Sequence, residues 1–463
     1  MTHAARCPGT VKTQKWASMQ QTSPGRRSVL TGLGALAAAG SLGVGAFGCA
    51  APTGAGAGGT RLRYWHLFGG GDGVNMQAML DAYSTSHPGI ELEASTLQWG
   101  PPYYTKLGMA GAGGRAPEVA VLHLARLPGF APRRLLDPFD LGMLADHGIS
   151  AEDFPEDLWR RGTVDGRQYA VPLDTHPMVL YHNTEICEKA GLLDSDGKLK
   201  PIQGVKEFTD ALRAAKKVTG QPGLVTETLG SDTIGPWRLF ATFYSQTGGT
   251  VLSPDADRIT IDDTKALEVL TYMRALTADG LAVRRVNYNG GIGVFSAGRT
   301  GFLINGEWEV STFKTTGLPF SMSRIPNLFG RASVFADSHT FVLPHQSGRG
   351  GASNAAAHAF VAWMLRHSVD WAKGGHVPAY LPALEEPDYL ALQPQSAYRS
   401  VIDDVALDPE AWFSGSASAL ELELGAVFSG VLTGSRTPEN ALAETRKRLR
   451  RLIDTPPPFG AAV

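Results

Sequence analysis

The chain is poor in cysteine, in net charge and in catalytic signatures. Cys7, Cys49 and Cys187 are its only cysteines in 463 residues. Their number and spacing argue against a disulfide framework or a structural zinc site. Cys187 reads as a small buried apolar side chain. Lys and Arg total 42 against 44 Asp and Glu, for a net charge of −2, so no basic excess points to nucleic acid. Acids are absent from the first 48 residues, which hold Arg6, Lys12, Lys15, Arg26 and Arg27. The remainder has 37 bases against 44 acids, a net charge of −7, and reads as a mildly acidic, soluble body. There is no GxSxG elbow and no HExxH helix. The histidines show no compact metal-ligand spacing, so no metal or cofactor is expected. No acidic motif sits at matched strand ends, where a glycosidase would hold two carboxylates about 5–10 Å apart. The chain is therefore read as a non-enzyme.

What is present begins with an address. Arg26-Arg27 precedes a long uncharged stretch rich in Ala, Gly and Leu, the layout of a charged n-region followed by an apolar h-region. It is too glycine-rich for a transmembrane helix, which wants about 20 strongly apolar residues. With Val29-Leu30 the arginine pair resembles a twin-arginine export signal, with Sec export the alternative. Ala46-Phe47-Gly48-Cys49 resembles a lipobox, Phe47 being a departure from the usual small residue. Residues 1–48 are thus expected to be a lipoprotein signal, Cys49 the lipidated residue and 49–59 a flexible tether. Met19 offers a more ordinary start than Met1.

Beyond the tether, strand and helix patterns alternate. "RLRYWHLF" reads as a strand ending in Gly69-Gly70-Gly71. Met76, Met79, Leu80 and Tyr83 then recur at helical spacing. "IELEAS" and "EVAVLHL" read as further strands, with a helix from about Tyr103 to Gly111 between them. Successive βαβ units imply an α/β fold with a mainly parallel sheet. Ligands of such sheets lie beyond the carboxyl ends of the strands. The later chain predicts helices over "VKEFTDALRAAKKVTG", Trp237–Ser245, Thr264–Ala278, about Ser353–Arg366 and Thr437–Leu452. "DSHTFVLP" reads as one strand. The glycines do not form a nucleotide loop, because neither GxGxxG nor a following Lys-Ser/Thr is present. They read as a tight turn at a cleft rim. Asp72 is expected to cap a helix starting near Val74, or else to accept from a ligand hydroxyl.

Seven blocks in order carry a family resemblance: "YWHLFGGGDG", "HPGIELE", "YYTKLGMAGAGGRAPEVAVLH", "LLDPFD", "DGRQYAVPLDTHPMVLYHNTEICEKAGL", "GRTGFLINGEW" and "GGHVPAYLPALE". Together with the lipoprotein signal they resemble the carbohydrate-type extracellular solute-binding proteins of ABC importers. The resemblance implies a two-lobed, type II periplasmic-binding-protein-like fold that closes as a hinge around its ligand. It places crossings near 174–177, 338–340 and 375–378. The amino-terminal lobe would hold 60–173 plus 340–376, and the carboxy-terminal lobe 177–337 plus 380–463. It also implies permease subunits with a cytoplasmic ATPase as partners. The protein would be a monomer, exported and held by lipid on the outer face of the cytoplasmic membrane.

A sugar presents fixed hydroxyls and aliphatic C–H patches, so its site needs planar polar groups and aromatic faces. Trp308, in "INGEW", is the leading stacking candidate, with a core indole as its alternative. Glu307 is a hydroxyl acceptor or a surface carboxylate. Asp174 and His176 at the first crossing are ligand contacts or hinge architecture. His123 and Arg126 follow the third strand; Arg126 would fork onto hydroxyls or form a surface ion pair. Trp99, Trp237, Tyr380, His339, His66 and Phe68 complete the candidates, each with core packing as the competing role. Three functions stay open: sugar capture, capture of another solute such as a polyol phosphate, peptide or polyamine, and an extracytoplasmic hydrolase or structural lipoprotein.

Overall fold

A computed structural model describes residues 59–229 and 234–457. The signal, the tether before Gly59 and Cys49 lie outside the described residues. No described helix is long and apolar enough to cross a membrane.

The first strand, Thr60–His66, buries Leu62, Tyr64 and His66 on alternate positions, the period-2 pattern of a pleated strand. It pairs in parallel with Ile90–Thr96, from Thr60 opposite Ile90 to His66 opposite Thr96. Between them runs the helix Gly70–Ser86, burying Met76, Met79, Leu80 and Tyr83. The helix starts four residues before the expected Val74. Its N-cap is Gly69, and no side chain caps it. The capping role expected of Asp72 is therefore overturned: Asp72 lies inside the first turn and reaches His376 instead.

Val119–His123 joins in parallel on the other side of the first strand. The sheet then changes direction. His339–Pro344 returns antiparallel beside Val119–His123, with His339 opposite His123. The order is Ile90–Thr96, Thr60–His66, Val119–His123, His339–Pro344, Leu136–Asp137, and Ala170–Pro172 also pairs with His339–Pro344. The expected mainly parallel sheet is mixed, because a strand from a distant return of the chain, His339–Pro344, pairs antiparallel with its neighbours.

The second sheet is organised by Asp174–Asn183, ten buried residues in one strand. Phe302–Gly306, Phe320–Ser323, Val334–Asp337 and Val377–Pro378 all pair with it antiparallel. The segment read as one strand, "DSHTFVLP", is divided at Ser338. Val334–Asp337 belongs to this second sheet and His339–Pro344 to the first. Asp337 Oδ1 accepts from Ser338 N at 2.8 Å and from Ala125 N at 3.2 Å, fixing the change of sheet.

Each sheet has its own hydrophobic core. Tyr64, Tyr83, Phe341 and Phe360 lie in the first. Tyr181, Phe240, Phe243 and Phe428 lie in the second. Full burial of one such ring stabilises by about 1.5–3 kcal/mol, so each core has its own source of stability. Among the described residues, three segments pass between the sheets: the start of Asp174–Asn183, the turn at Ser338 and Val377–Pro378.

Candidate functional site

A cleft of about 690 Å³ opens where the two sheets face each other, a volume typical of small-molecule sites. One wall comes from the first sheet: Phe68, Gly69–Gly71, Asp72, Trp99, His123 and His339. The other comes from the second: Arg238, Asn287–Asn289, Asn305, Trp308 and Glu309. His176 lines the floor. A second depression of about 610 Å³ is walled by Arg274, Arg436, Glu444 and Lys447 among others, without an aromatic ring.

Trp308 is placed by its own strand. Phe302–Gly306 ends at Gly306, and a short turn Glu307–Glu309 follows. The indole folds back over Gly306, where a Cβ would come within 2.0 Å of the ring. Only glycine permits that approach. The indole Nε1 donates to Tyr288 Oη at 2.7 Å, and Tyr288 donates onward to Glu309. Arg238 lies 5.2 Å from the ring centroid, and His176 approaches edge-on at 6.0 Å. Trp308 is half-buried, so part of its surface faces the cleft. Burial raises the Glu309 carboxyl above its usual range.

Under the floor lies a network of buried polar groups. Asp174 Oδ1 is 3.1 Å from His176 Nδ1, and its Oδ2 is 2.8 Å from His339 Nδ1. Trp371 Nε1 donates to Oδ2 at 2.6 Å, and His339 N donates to Oδ1 at 2.8 Å. Burial opposes ionisation of Asp174, but His339, His376 and His176 outweigh it and hold the carboxyl well below its usual range. Burial, aided by His339, pushes His176 down to about 3, so the ring is neutral. With Nδ1–H on Asp174, its Nε2 is an acceptor. Burial raises Glu307 to about 7, with His376 opposing.

The sequence pattern of the bacterial extracellular solute-binding proteins matches residues 70–370. This chain belongs to that family. Among curated proteins, it is similar to an arabinooligosaccharide-binding protein of Halalkalibacterium halodurans, 26% identical over 185 residues. That match spans 40% of this chain and about 38% of the relative. The fold is shared with solved structures. The cyclic alpha-maltosyl-1,6-maltose binding protein of Arthrobacter globiformis aligns at 21% identity and TM-score 0.69, over 86% of this chain and 99% of that one. The GacH receptor of Streptomyces glaucescens, solved unliganded and with acarbose, aligns at 19% and 0.72, over 85% and 98%. A Thermotoga lettingae solute-binding protein with alpha-D-tagatose aligns at 18% and 0.71, over 85% and 100%. The two-lobed, type II binding-protein fold is thereby shown, and both family and fold are those of binding proteins.

In this solute-binding protein the cleft gathers seven of the expected contacts: Phe68, Asp72, Trp99, His123, His176, Trp308 and His339. Asp174 and Glu307 sit behind the wall and do not line it. Four others go elsewhere. Trp237 is a core indole, stacked near Phe428 and donating to Asp408 at 3.0 Å. His66 packs between Tyr64 and Phe68 in the first lobe, and burial lowers it to about 4. Arg126 lies over the Tyr104 ring at 4.5 Å. Tyr380 precedes the short helix Leu381–Leu384 and packs near Phe154.

Arg238, Asn287, Tyr288, Asn289 and Asn305 were not singled out from the sequence. "NYNGG" at 287–291 carried a signal, since an aromatic between two amides before glycines suits a polar pocket edge. His376 was also missed. The spacing of histidines showed no metal pattern, yet folding brings Asp174, His176, His339 and His376 within 4.8 Å of one another. Spacing along the chain gave no sign of this cluster, because the four arrive from three separate segments.

Proposed function

We propose that this protein captures a sugar, with an oligosaccharide the best fit, and delivers it to an ABC importer by closure of its lobes. The observation that carries the reading is Trp308. A half-buried indole, oriented by Tyr288 and surrounded by amides and a carboxylate, suits alternating C–H faces and hydroxyls. The arabinooligosaccharide-binding relative and the sugar-named structural neighbours support the same class. The lobes are taken as 60–173 plus 340–376 and 177–337 plus 380–463, in keeping with the two cores. The chain acts as an exported monomer, anchored through Cys49 after twin-arginine export and docking on permease subunits served by a cytoplasmic ATPase.

The test is thermal unfolding across a panel of pentose and hexose oligosaccharides, polyol phosphates, peptides and polyamines. A bound sugar raises Tm with concentration as mass action requires, and is recovered unchanged. A shift by amines, peptides or phosphates with none by sugars overturns the sugar reading. Consumption of the sugar overturns the binding reading. Loss of fatty-acid labelling in C49S tests the anchor.

A further inference from the structure

The three segments that pass between the sheets each deliver a ligating group to one buried point. Asp174 and His176 come from the first, His339 from the second and His376 from the third. Asp174 Oδ1 lies 3.1 Å from His176 Nδ1, and its Oδ2 lies 2.8 Å from His339 Nδ1 and 3.2 Å from His376 Nδ1. All four side chains are buried. Ligands on bonds near 2.0–2.1 Å stand about 3.3 Å apart at the corners of a tetrahedron. The four ligand atoms all lie within 4.8 Å of one another, so tetrahedral ligation needs side-chain movements of up to about 1.5 Å.

Two further observations point to a cation. Glu307 is fully buried, and its Oε1 stands 2.9 Å from His376 Nδ1. His376 Nδ1 thus faces two carboxylates, Glu307 Oε1 at 2.9 Å and Asp174 Oδ2 at 3.2 Å. The far nitrogen of the same ring, Nε2, lies 3.0 Å from Asp72 Oδ1. Metal-bound histidines are commonly held in this way, with a carboxylate on the other nitrogen fixing the tautomer. Asp174 is similarly oriented by Trp371 Nε1 and His339 N. Three imidazoles and one carboxylate suit zinc or a neighbouring first-row ion, while magnesium and calcium prefer all-oxygen sets.

We propose that Asp174, His176, His339 and His376 bind one divalent transition-metal ion, zinc in the first instance, where the lobes join. The ion links all three crossing segments, and so stiffens the hinge and the cleft surface that His176 and His339 line. The proposal does not depend on the cleft's ligand being a sugar.

The whole chain, stripped with chelator, is titrated with ZnCl₂ or CoCl₂, desalted and analysed for metal. One ion per chain is expected, with the visible absorption of four-coordinate cobalt. H176N and H339N each lower zinc affinity by at least about tenfold, on the scale of lost metal-site groups. The exposed His367→Ala leaves it unchanged. A stripped wild type that retains neither metal, or H176N and H339N proteins that bind as tightly as wild type, overturns the proposal. If either variant fails to fold, the wild-type stoichiometry and cobalt spectrum still decide it. Failure here leaves sugar-induced Tm shifts intact, so the two readings are tested apart.

Discussion

The two walls of the cleft are built from different materials. The first-lobe wall offers glycine backbone, Phe68 and imidazoles, with Trp99 at its edge. The second-lobe wall offers Trp308, Tyr288, three asparagines, Arg238 and Glu309. The first allows close approach; the second can read hydroxyls and stack on a ring. Where the lobes meet, Gly71 faces Ser311, and a Cβ on Gly71 would fall 2.6 Å from the serine Cβ. The contrast assigns recognition mainly to the second lobe and closure mainly to the first.

The strongest challenge to that division is truncation of the two indoles. W308A is expected to weaken sugar binding about 10- to 100-fold, roughly 1.4–2.8 kcal/mol, and W99A about threefold to tenfold. Calorimetry giving the larger loss for W99A would reverse the division. G306A should lower affinity about tenfold by displacing the indole, since overpacking costs about 1–3 kcal/mol, while circular dichroism stays native. G71A addresses the other wall. It should weaken binding about threefold to tenfold by hindering closure, and S311G in the same chain should restore it. No rescue would mean that this contact does not limit closure.

Two smaller effects lie behind the walls. W237F leaves Asp408 without its indole donor. It should cost about 1–2 kcal/mol in urea unfolding and leave affinity within about twofold, as a core residue requires. Asp337 has a different signature. Burial raises its carboxyl to about 7, with Asp408 adding to the effect. A carboxyl with a raised folded pKa binds more protons in the native state, so its contribution to stability is lost as pH rises from about 4 through about 7. D337N should therefore raise Tm above pH 7 by about 2–4 °C, roughly what 1 kcal/mol is worth in a large domain, and change it little near pH 4. Equal Tm differences at both pH values would exclude ionisation of Asp337 as the cause.

Local physics made much of this molecule legible. The helix Gly70–Ser86 follows from four apolar residues at helical spacing, and the helix Gly204–Thr219 from its amphipathic pattern. Trp308 was legible because a strand ending in Gly306 leaves the next aromatic in a turn. Trp237 was misread because a tryptophan early in a helix looks the same whether it meets ligand or Phe428. Asp72 was misread because the helix-start pattern carries no trace of His376, 304 residues away in sequence.

The sequence by itself determined the alternation of strands and helices, the glycine turn, the aromatic after Gly306 and the family pattern, because these depend on near neighbours along the chain. Tertiary structure alone decided three matters: the mixed sheet, the division of "DSHTFVLP" between two sheets, and the meeting of Asp174, His176, His339 and His376. All three depend on contacts between residues far apart in sequence, which no local spacing records.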